Sequence, residues 1–199
     1  MAIIRKDQRE AMELKRKLLE GESYLKRNYL KRVNAKRERD YHYDLCMRAA
    51  EWLEKQMNCG FVIRDGFGCQ TSTMEQPDAL GLRGGVSMLV EVKVSRADFL
   101  GDKKKKFRQN PELGLGDFRI YACPPGIIKV SDLPEDWGLI YIHPKKVEKV
   151  HGIPQGVKFH RSRAPFKSNV DAERDVLYQF ARRMAIRGLD FRAYGMQNN

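Results

Sequence analysis

Long apolar runs are missing from this chain. None of its 199 residues belongs to a stretch approaching the roughly 18–20 apolar residues that cross a bilayer, so no membrane partner is expected. The opening MAIIRKDQRE lacks the apolar core of a secretion signal, and a cytoplasmic location is the expectation. Paired cysteines are missing too. Cys46, Cys59, Cys69 and Cys123 are scattered without a C-x-x-C pair, which speaks against zinc; Cys46 and Cys123 sit in apolar runs and are expected as buried thiols. There is no P-loop and no G-x-S-x-G, so nucleotide hydrolysis and serine chemistry have no motif behind them. Internal repeats and low-complexity tracts are absent as well. Acidic residues are in deficit, 26 against 38 Lys and Arg, for a formal net charge of +12 and a pI ≈ 9.6. A polyanion is the partner that such a balance suits.

The positive excess is clustered. Between Arg5 and Asp40, thirteen Lys or Arg face seven Asp or Glu, which gathers half of the net charge into under a fifth of the chain. Good helix formers dominate there. Leu14 and Leu18 make one i, i+4 apolar stripe, and Leu25, Tyr29 and Val33 make another. Glu20-Gly21-Glu22-Ser23 reads as a break with Ser23 as an N-cap. Residues 1–40 are therefore read as an arm of two basic helices. The arm grips nucleic-acid backbone, or it is a solvated extension or a packing surface for a second copy in a homodimer. Residues 41–199 form one domain, long enough for a core of its own.

That domain opens with a helix expected over residues 41–58, capped by Asp40, with Leu45, Ala49, Trp52, Leu53 and Met57 inward. Asp44 and Glu51, seven apart, share the opposite edge. His42 falls near the apolar side and is read as a packed or helix-start histidine rather than a ligand. Residues 61–64 are the first strand. Residues 66–76 are a polar, glycine-rich loop whose Gln70, Thr71, Ser72 and Thr73 either contact phosphate or are simply solvated.

Residues 77–108, PDALGLRGGVSMLVEVKVSRADFLGDKKKKFR, carry the densest pattern. From 86 to 94, Met88, Val90, Val92 and Val94 point one way while Leu89, Glu91 and Lys93 point the other. Burying Glu91 and Lys93 in so apolar a strand costs several kcal/mol unless each is paired or bound to a metal. If 79–83 is the neighbouring strand, the Gly84-Gly85 hairpin folds Asp78 back towards the far end of 86–94. Two carboxylates on adjacent strands can grip one divalent cation. A lysine two residues beyond the second can hold or polarise a water, which completes a set for metal-assisted phosphodiester hydrolysis. A helix over 96–109 follows, capped by Ser95. Its Lys103, Lys104, Lys105, Lys106 and Arg108 are read as phosphate contacts, with a solvated helix face as the plain alternative.

Pro77-Asp78, twelve intervening residues and Glu91-Val92-Lys93 resemble the signature of the PD-(D/E)XK nuclease superfamily. The segments LVEVKVSRADFLGDKKKKFRQN and FRIYACPPGIIKVSDLPEDWGLIYI resemble its small MmcB-like DNA-repair proteins and related phage proteins. The resemblance covers residues 41–142 and implies an αβββαβ core. It implies Asp78 and Glu91 as ligands of Mg2+ or Mn2+, with the backbone carbonyl of Val92 as a third ligand. Lys93 would position the attacking water. An extra acidic residue on the first helix would be Asp44, with Glu51 as the alternative, and Ser95, Asp98 and Lys103 would stand near the substrate. The implied products carry 5′-phosphate and 3′-hydroxyl ends.

Further along, residues 118–123 are expected as a buried strand parallel to 86–94 through a right-handed helical crossover. Residues 138–143 and 147–150 give two more strands, 153–169 are irregular, and 171–187 form an amphipathic helix that Gly188 ends. The order predicts an α/β fold, a mixed sheet flanked by helices. The expected function is that of a metal-dependent endonuclease acting on DNA in repair, recombination or phage DNA processing. The competing class is a non-catalytic nucleic-acid-binding protein on the same scaffold; a structural protein, or an enzyme on another substrate, has no motif in its favour.

Overall fold

The structure, a computed structural model, describes residues 6–64, 71–155 and 160–187, without the side chains of 6–11, 14, 18, 22 and 25. It begins with one helix, α1 (Lys6–Lys55). The chain divides into two compact units, Met1–Tyr41 and His42–Asn199.

In the first unit the helix runs through Gly21 without the expected break, and Asp40 is an interior residue rather than a cap. A single glycine costs a helix only about 1 kcal/mol against alanine, and good helix formers flank this one. Glu13 bridges to Arg16 at 2.8 Å and to Lys17 at 3.7 Å, and Arg16 also lies 3.7 Å from Glu20. These pairs support the turns before Gly21. Of the expected apolar stripes, Tyr29 is exposed and Val33 half-buried; the side chains of Leu14, Leu18 and Leu25 lie outside the described ones.

The second unit is built on a six-stranded mixed sheet: β1 (Phe61–Arg64), β2 (Ala79–Arg83), β3 (Val86–Val92), β4 (Phe118–Cys123), β5 (Gly138–Ile142) and β6 (Val147–His151), in that spatial order. The central trio β3, β4 and β5 is parallel, and the outer pairings are antiparallel. β3 and β4 are buried along their whole length, as central parallel strands are. The β2–β3 turn pairs Arg83 with Val86 across Gly84 and Gly85. Both glycines have positive φ, +55° and +79°, the left-handed conformation of a two-residue turn that glycine adopts without a Cβ clash.

The alternation read in β3 separates two cores. Met88, Val90 and Val92 pack with Leu45, Ala49, Trp52 and Leu53 of α1 on one face of the sheet. Leu89 packs on the other with Phe99, Tyr121, Leu139, Ala172 and Val176. The helices on that second face are α2 (Arg96–Asp102) and α4 (Val170–Ile186). The layers are therefore helix, sheet and helix.

The single helix expected over 96–109 is two: α2, then α3 (Lys106–Gln109). Lys104 N donates to Gly101 O at 3.2 Å and Lys105 N to Asp102 O at 3.0 Å, and Lys105 is extended. The turn lets Asp102 face inward from α2 while Phe107 and Arg108 turn inward from α3, a grouping that one straight helix would not give. Gly188 and residues 65–70, with Cys69 and Gln70 among them, lie outside the described residues. No helix of the described residues is long and apolar enough to cross a membrane.

Candidate active site

β3 turns Glu91 and Lys93 onto the face that carries Leu89, and both side chains are 3% exposed. Lys93 Nζ lies 3.3 Å from Glu91 Oε2 and 3.1 Å from Asp102 Oδ1. Asp102 comes from the last turn of α2, three residues after the buried Phe99, and is itself buried. Its second oxygen accepts from Tyr121 Oη at 2.7 Å and from Arg108 Nε at 2.8 Å. Arg108 also pairs with Glu75, and its Nη2 lies 3.0 Å from Glu91 Oε1. This last contact is an ion pair without hydrogen-bond geometry, so Glu91 Oε1 and Arg108 Nη2 are buried without a hydrogen bond. Glu75 is anchored by Leu115 N, which donates to it at 2.6 Å. On the outer side, Lys105 Nζ stands 2.7 Å from Asp102 Oδ1 and 3.9 Å from Glu91 Oε2.

Three carboxylates, Glu75, Glu91 and Asp102, thus interlock with Lys93, Lys105 and Arg108. Burial alone would lower the Lys93 ammonium. The Glu91, Asp102 and Asp78 carboxylates outweigh it and hold Lys93 above its ordinary value, hence charged at neutral pH. Arg108 is held up in the same way, against burial, by Glu91, Glu75 and Asp102. Burial opposes ionisation of Asp102 as well, yet Arg108 and Lys93 draw it well below the usual carboxylate range. For Glu75 burial prevails over Arg108 and its carboxyl is pushed up.

Asp78 immediately precedes β2. The β2–β3 pairing has Ala79 opposite Val90, so one further step puts Asp78 opposite Glu91. Its Oδ2 accepts from Val92 N at 2.8 Å, and its Oδ1 lies 3.6 Å from His42 Nε2. Burial, then the neighbouring Glu91 charge, push the Asp78 carboxyl up, against the pull of His42 and Lys93. A hollow of about 440 Å³ opens here, lined by Met74, Gln76, Asp78, Lys105 and Phe107. The trio expected from sequence, Asp78, Glu91 and Lys93, is therefore brought together, with Val92 buried between them at the end of β3.

Other expected residues stand elsewhere. Asp44 and Glu51 are exposed on α1. Glu51 pairs with Lys55 at 2.6 Å and lines a different hollow with Arg48, Trp52 and Pro144. From α1, His42 lies 3.6 Å from Asp78. Two residues of helix turn the chain about 200°, so Asp44 faces away from the side His42 occupies. Ser95 Oγ accepts from Asp98 N at 3.2 Å, and Asp98 Oδ2 accepts from Val94 N at 3.2 Å, so both cap the start of α2. Lys103, Lys104 and Lys106 are exposed and Lys105 is half-exposed. Arg108, expected among the phosphate contacts, instead has a side chain only 5% exposed, because three carboxylates draw it inward. Thr71 is committed to its own turn, with Oγ1 accepting from Glu75 N at 3.0 Å. Glu75, Asp102 and Tyr121 did not stand out in the sequence. For Asp102 a signal existed, since it falls one turn after Phe99 on the buried face.

No family model and no curated protein matches the chain. Among solved structures, it is similar to the SPO1766 protein of unknown function from Silicibacter pomeroyi, at 22% identity and a TM-score of 0.48, over 77% of this chain and 94% of that one.

Proposed function

We propose that the protein is a metal-dependent endonuclease that hydrolyses DNA phosphodiester bonds. The observation that carries this reading is the grouping of Asp78, Glu91 and Lys93 on two neighbouring strands, beside a hollow that Asp78 and Lys105 line. The succession α1, β1, β2, β3, α2 and β4, with β3 and β4 parallel, supports an αβββαβ nuclease-like core. The donor set fits Mg2+ or Mn2+. It offers two carboxylates, Asp78 and Glu91, that the β2–β3 register sets opposite one another. The Val92 carbonyl is the third ligand in this reading. The cation would supply a more acidic bound water and offset charge on the phosphate.

The chain's own groups do the rest. Lys93 is held charged, so it is a donor to water or phosphate oxygen and not a base. Lys105 lines the hollow and can meet a phosphate at its mouth, and the exposed Lys103, Lys104 and Lys106 extend the contact along the DNA. Asp78 must ionise to hold a cation, and its carboxyl is pushed up. Activity should therefore climb as pH rises beyond the usual carboxylate range.

A second reading has an observation of its own. Lys93 and Arg108 already flank Glu91, so the protein alone offsets that charge. A nucleic-acid-binding protein on this scaffold would need no cation and no chemistry. Nicking of supercoiled plasmid separates the two. The nuclease reading expects nicking in Mg2+ or Mn2+ and none in chelator. Asp78→Ala and Glu91→Ala should abolish it while DNA binding persists. Binding by the wild-type protein without divalent-dependent nicking would favour the second reading, and undiminished nicking by both variants in clean Mg2+ would remove the metal mechanism.

A further inference from the structure

We infer a second kind of metal site, for a borderline-soft divalent ion of the zinc class, at His42, Cys46 and Asp78. The ligand atoms of these three side chains lie within 4.8 Å of one another. His42 and Cys46 are four residues apart on α1 and so share one face of the helix. Asp78 meets them from the start of β2. Two of the three separations suit one ion. Zinc–nitrogen bonds of about 2.0–2.1 Å and a zinc–sulfur bond of about 2.3 Å, meeting at a tetrahedral angle, put nitrogen and sulfur about 3.6 Å apart. His42 Nε2 and Cys46 Sγ are 3.8 Å apart. The same reasoning puts nitrogen and a carboxylate oxygen about 3.4 Å apart, and His42 Nε2 and Asp78 Oδ1 are 3.6 Å apart. Movements of a few tenths of an ångström close these two edges; the third, between Cys46 Sγ and the Asp78 carboxylate, is bounded at 4.8 Å and closes by a rotation of the Cys46 or Asp78 side chain as the ion binds.

The surroundings add two further points. Val92 N holds Asp78 Oδ2 at 2.8 Å, which leaves Oδ1 directed towards His42; a hydrogen bond of this kind orients a ligating carboxylate. The His42 side chain is 28% exposed, so water can reach the cluster as a fourth ligand, the arrangement of an open zinc site. Thiolate and imidazole select zinc, cobalt and their neighbours over Mg2+. As the bond to Cys46 Sγ forms, the thiol releases its proton to solvent, one per ion bound. The absence of C-x-x-C pairs does not bear on such a site, because its ligands converge through the fold from a helix and a strand.

The site does not rest on the nuclease reading, since only Asp78 is common to both. The test uses the reduced, metal-stripped full-length protein titrated with Co2+. The expected result is one Co2+ per chain with a near-ultraviolet thiolate-to-cobalt charge-transfer band, displaced by Zn2+ and not by Mg2+. Cys46→Ser should abolish the band. His42→Ala removes a ligand outright and should weaken Co2+ binding by more than the roughly 10–100-fold that loss of a ligand's hydrogen-bonding partner costs. Circular dichroism of each variant confirms that it is folded. Glu91→Gln should keep the band, although the nuclease reading has it lose nicking, so the two proposals can fail separately. No charge-transfer band in the folded wild-type protein, or one that survives Cys46→Ser, overturns the site.

Discussion

Arg16 and Arg108 carry the same guanidinium in opposite settings. Arg16 is 63% exposed and pairs with Glu13 and Glu20, three and four residues away on one helix. Arg108 is 5% exposed and pairs with Glu75, Glu91 and Asp102, from three separate segments. The first set forms wherever the helix forms. The second exists only when β3, α2, α3 and the approach to β2 have all come together. Charge in residues 12–41 is therefore a property of the sequence, whereas charge around Glu91 is a property of the fold. The two should answer differently to mutation, pH and salt.

The largest difference is expected on removing the cation itself. Arg108→Met should destabilise the protein by about 3–5 kcal/mol, because it leaves buried carboxylates without their partner. Urea unfolding measures this, and a loss below about 1 kcal/mol would mean that the interlocked charges do not hold the site together. Next comes the chemistry. Lys93→Ala should slow plasmid nicking by about 10² or more, the effect of losing one preorganised electrostatic group. Lys93→Gln should recover part of it through hydrogen bonding. A wild-type rate for Lys93→Ala would leave this lysine a purely structural role.

Acid provides a third contrast. Asp102 has its folded pKa drawn below the unfolded value of about 3.9. Its stabilising contribution is complete above that value and is lost as pH falls through the folded one. One such proton gives a slope of at most about 1.4 kcal/mol per pH unit. Unfolding free energies measured from pH 5 downwards should fall less steeply for Asp102→Asn than for the wild-type protein. Equal slopes would mean that Arg108 and Lys93 do not hold this carboxylate charged.

Much of the sheet was legible because its signals are local. Alternation in β3 and the two glycines at its turn set which residues face Glu91 and bring Asp78 opposite it. The helices were less legible for the converse reason. Glu20, Glu22 and Ser23 made Gly21 look like a break, although one glycine among good helix formers is not enough to stop a helix. The break between α2 and α3 falls at Lys103–Lys105, within a lysine run read as part of one helix over 96–109. Missing that turn hid the inward face of Arg108 and the meeting of Asp102 with Lys93. His42 was read as a packed or helix-start histidine, apart from the acids Asp44 and Glu51 weighed on the same helix. Resemblance favoured an acid on the first helix, but the helical phase set by the buried Leu45, Cys46 and Ala49 favours His42.

Salt sharpens the comparison at the level of single side chains. If the exposed cations of the first unit touch DNA backbone, each contact contributes about 0.7–0.9 to the slope of log affinity against log salt. Lys31→Ala, Arg32→Ala and Lys36→Ala should each flatten that slope by up to this amount and leave unfolding unchanged. Binding isotherms at several salt concentrations decide it; unchanged slopes in all three would mean that these cations do not contact DNA.

The smallest effect belongs to the pair with which the comparison began. Arg16 and Glu13 are both substantially exposed, 63% and 46%, and their 2.8 Å contact lies along one helix. Exposed helical pairs of this spacing are worth about 0.2–0.5 kcal/mol. A double-mutant cycle of Arg16→Ala and Glu13→Ala should return a coupling in that range. In 1 M salt the screening length is about 3 Å, so the coupling should vanish there, while the loss on Arg108→Met should persist because its partners are shielded from ions. A coupling above about 1 kcal/mol, or one that salt does not touch, would mean that Arg16 is covered in solution. The first unit would then be a packing surface, as the homodimer alternative requires, and its cations would have to be reassigned from DNA to a second copy of the chain.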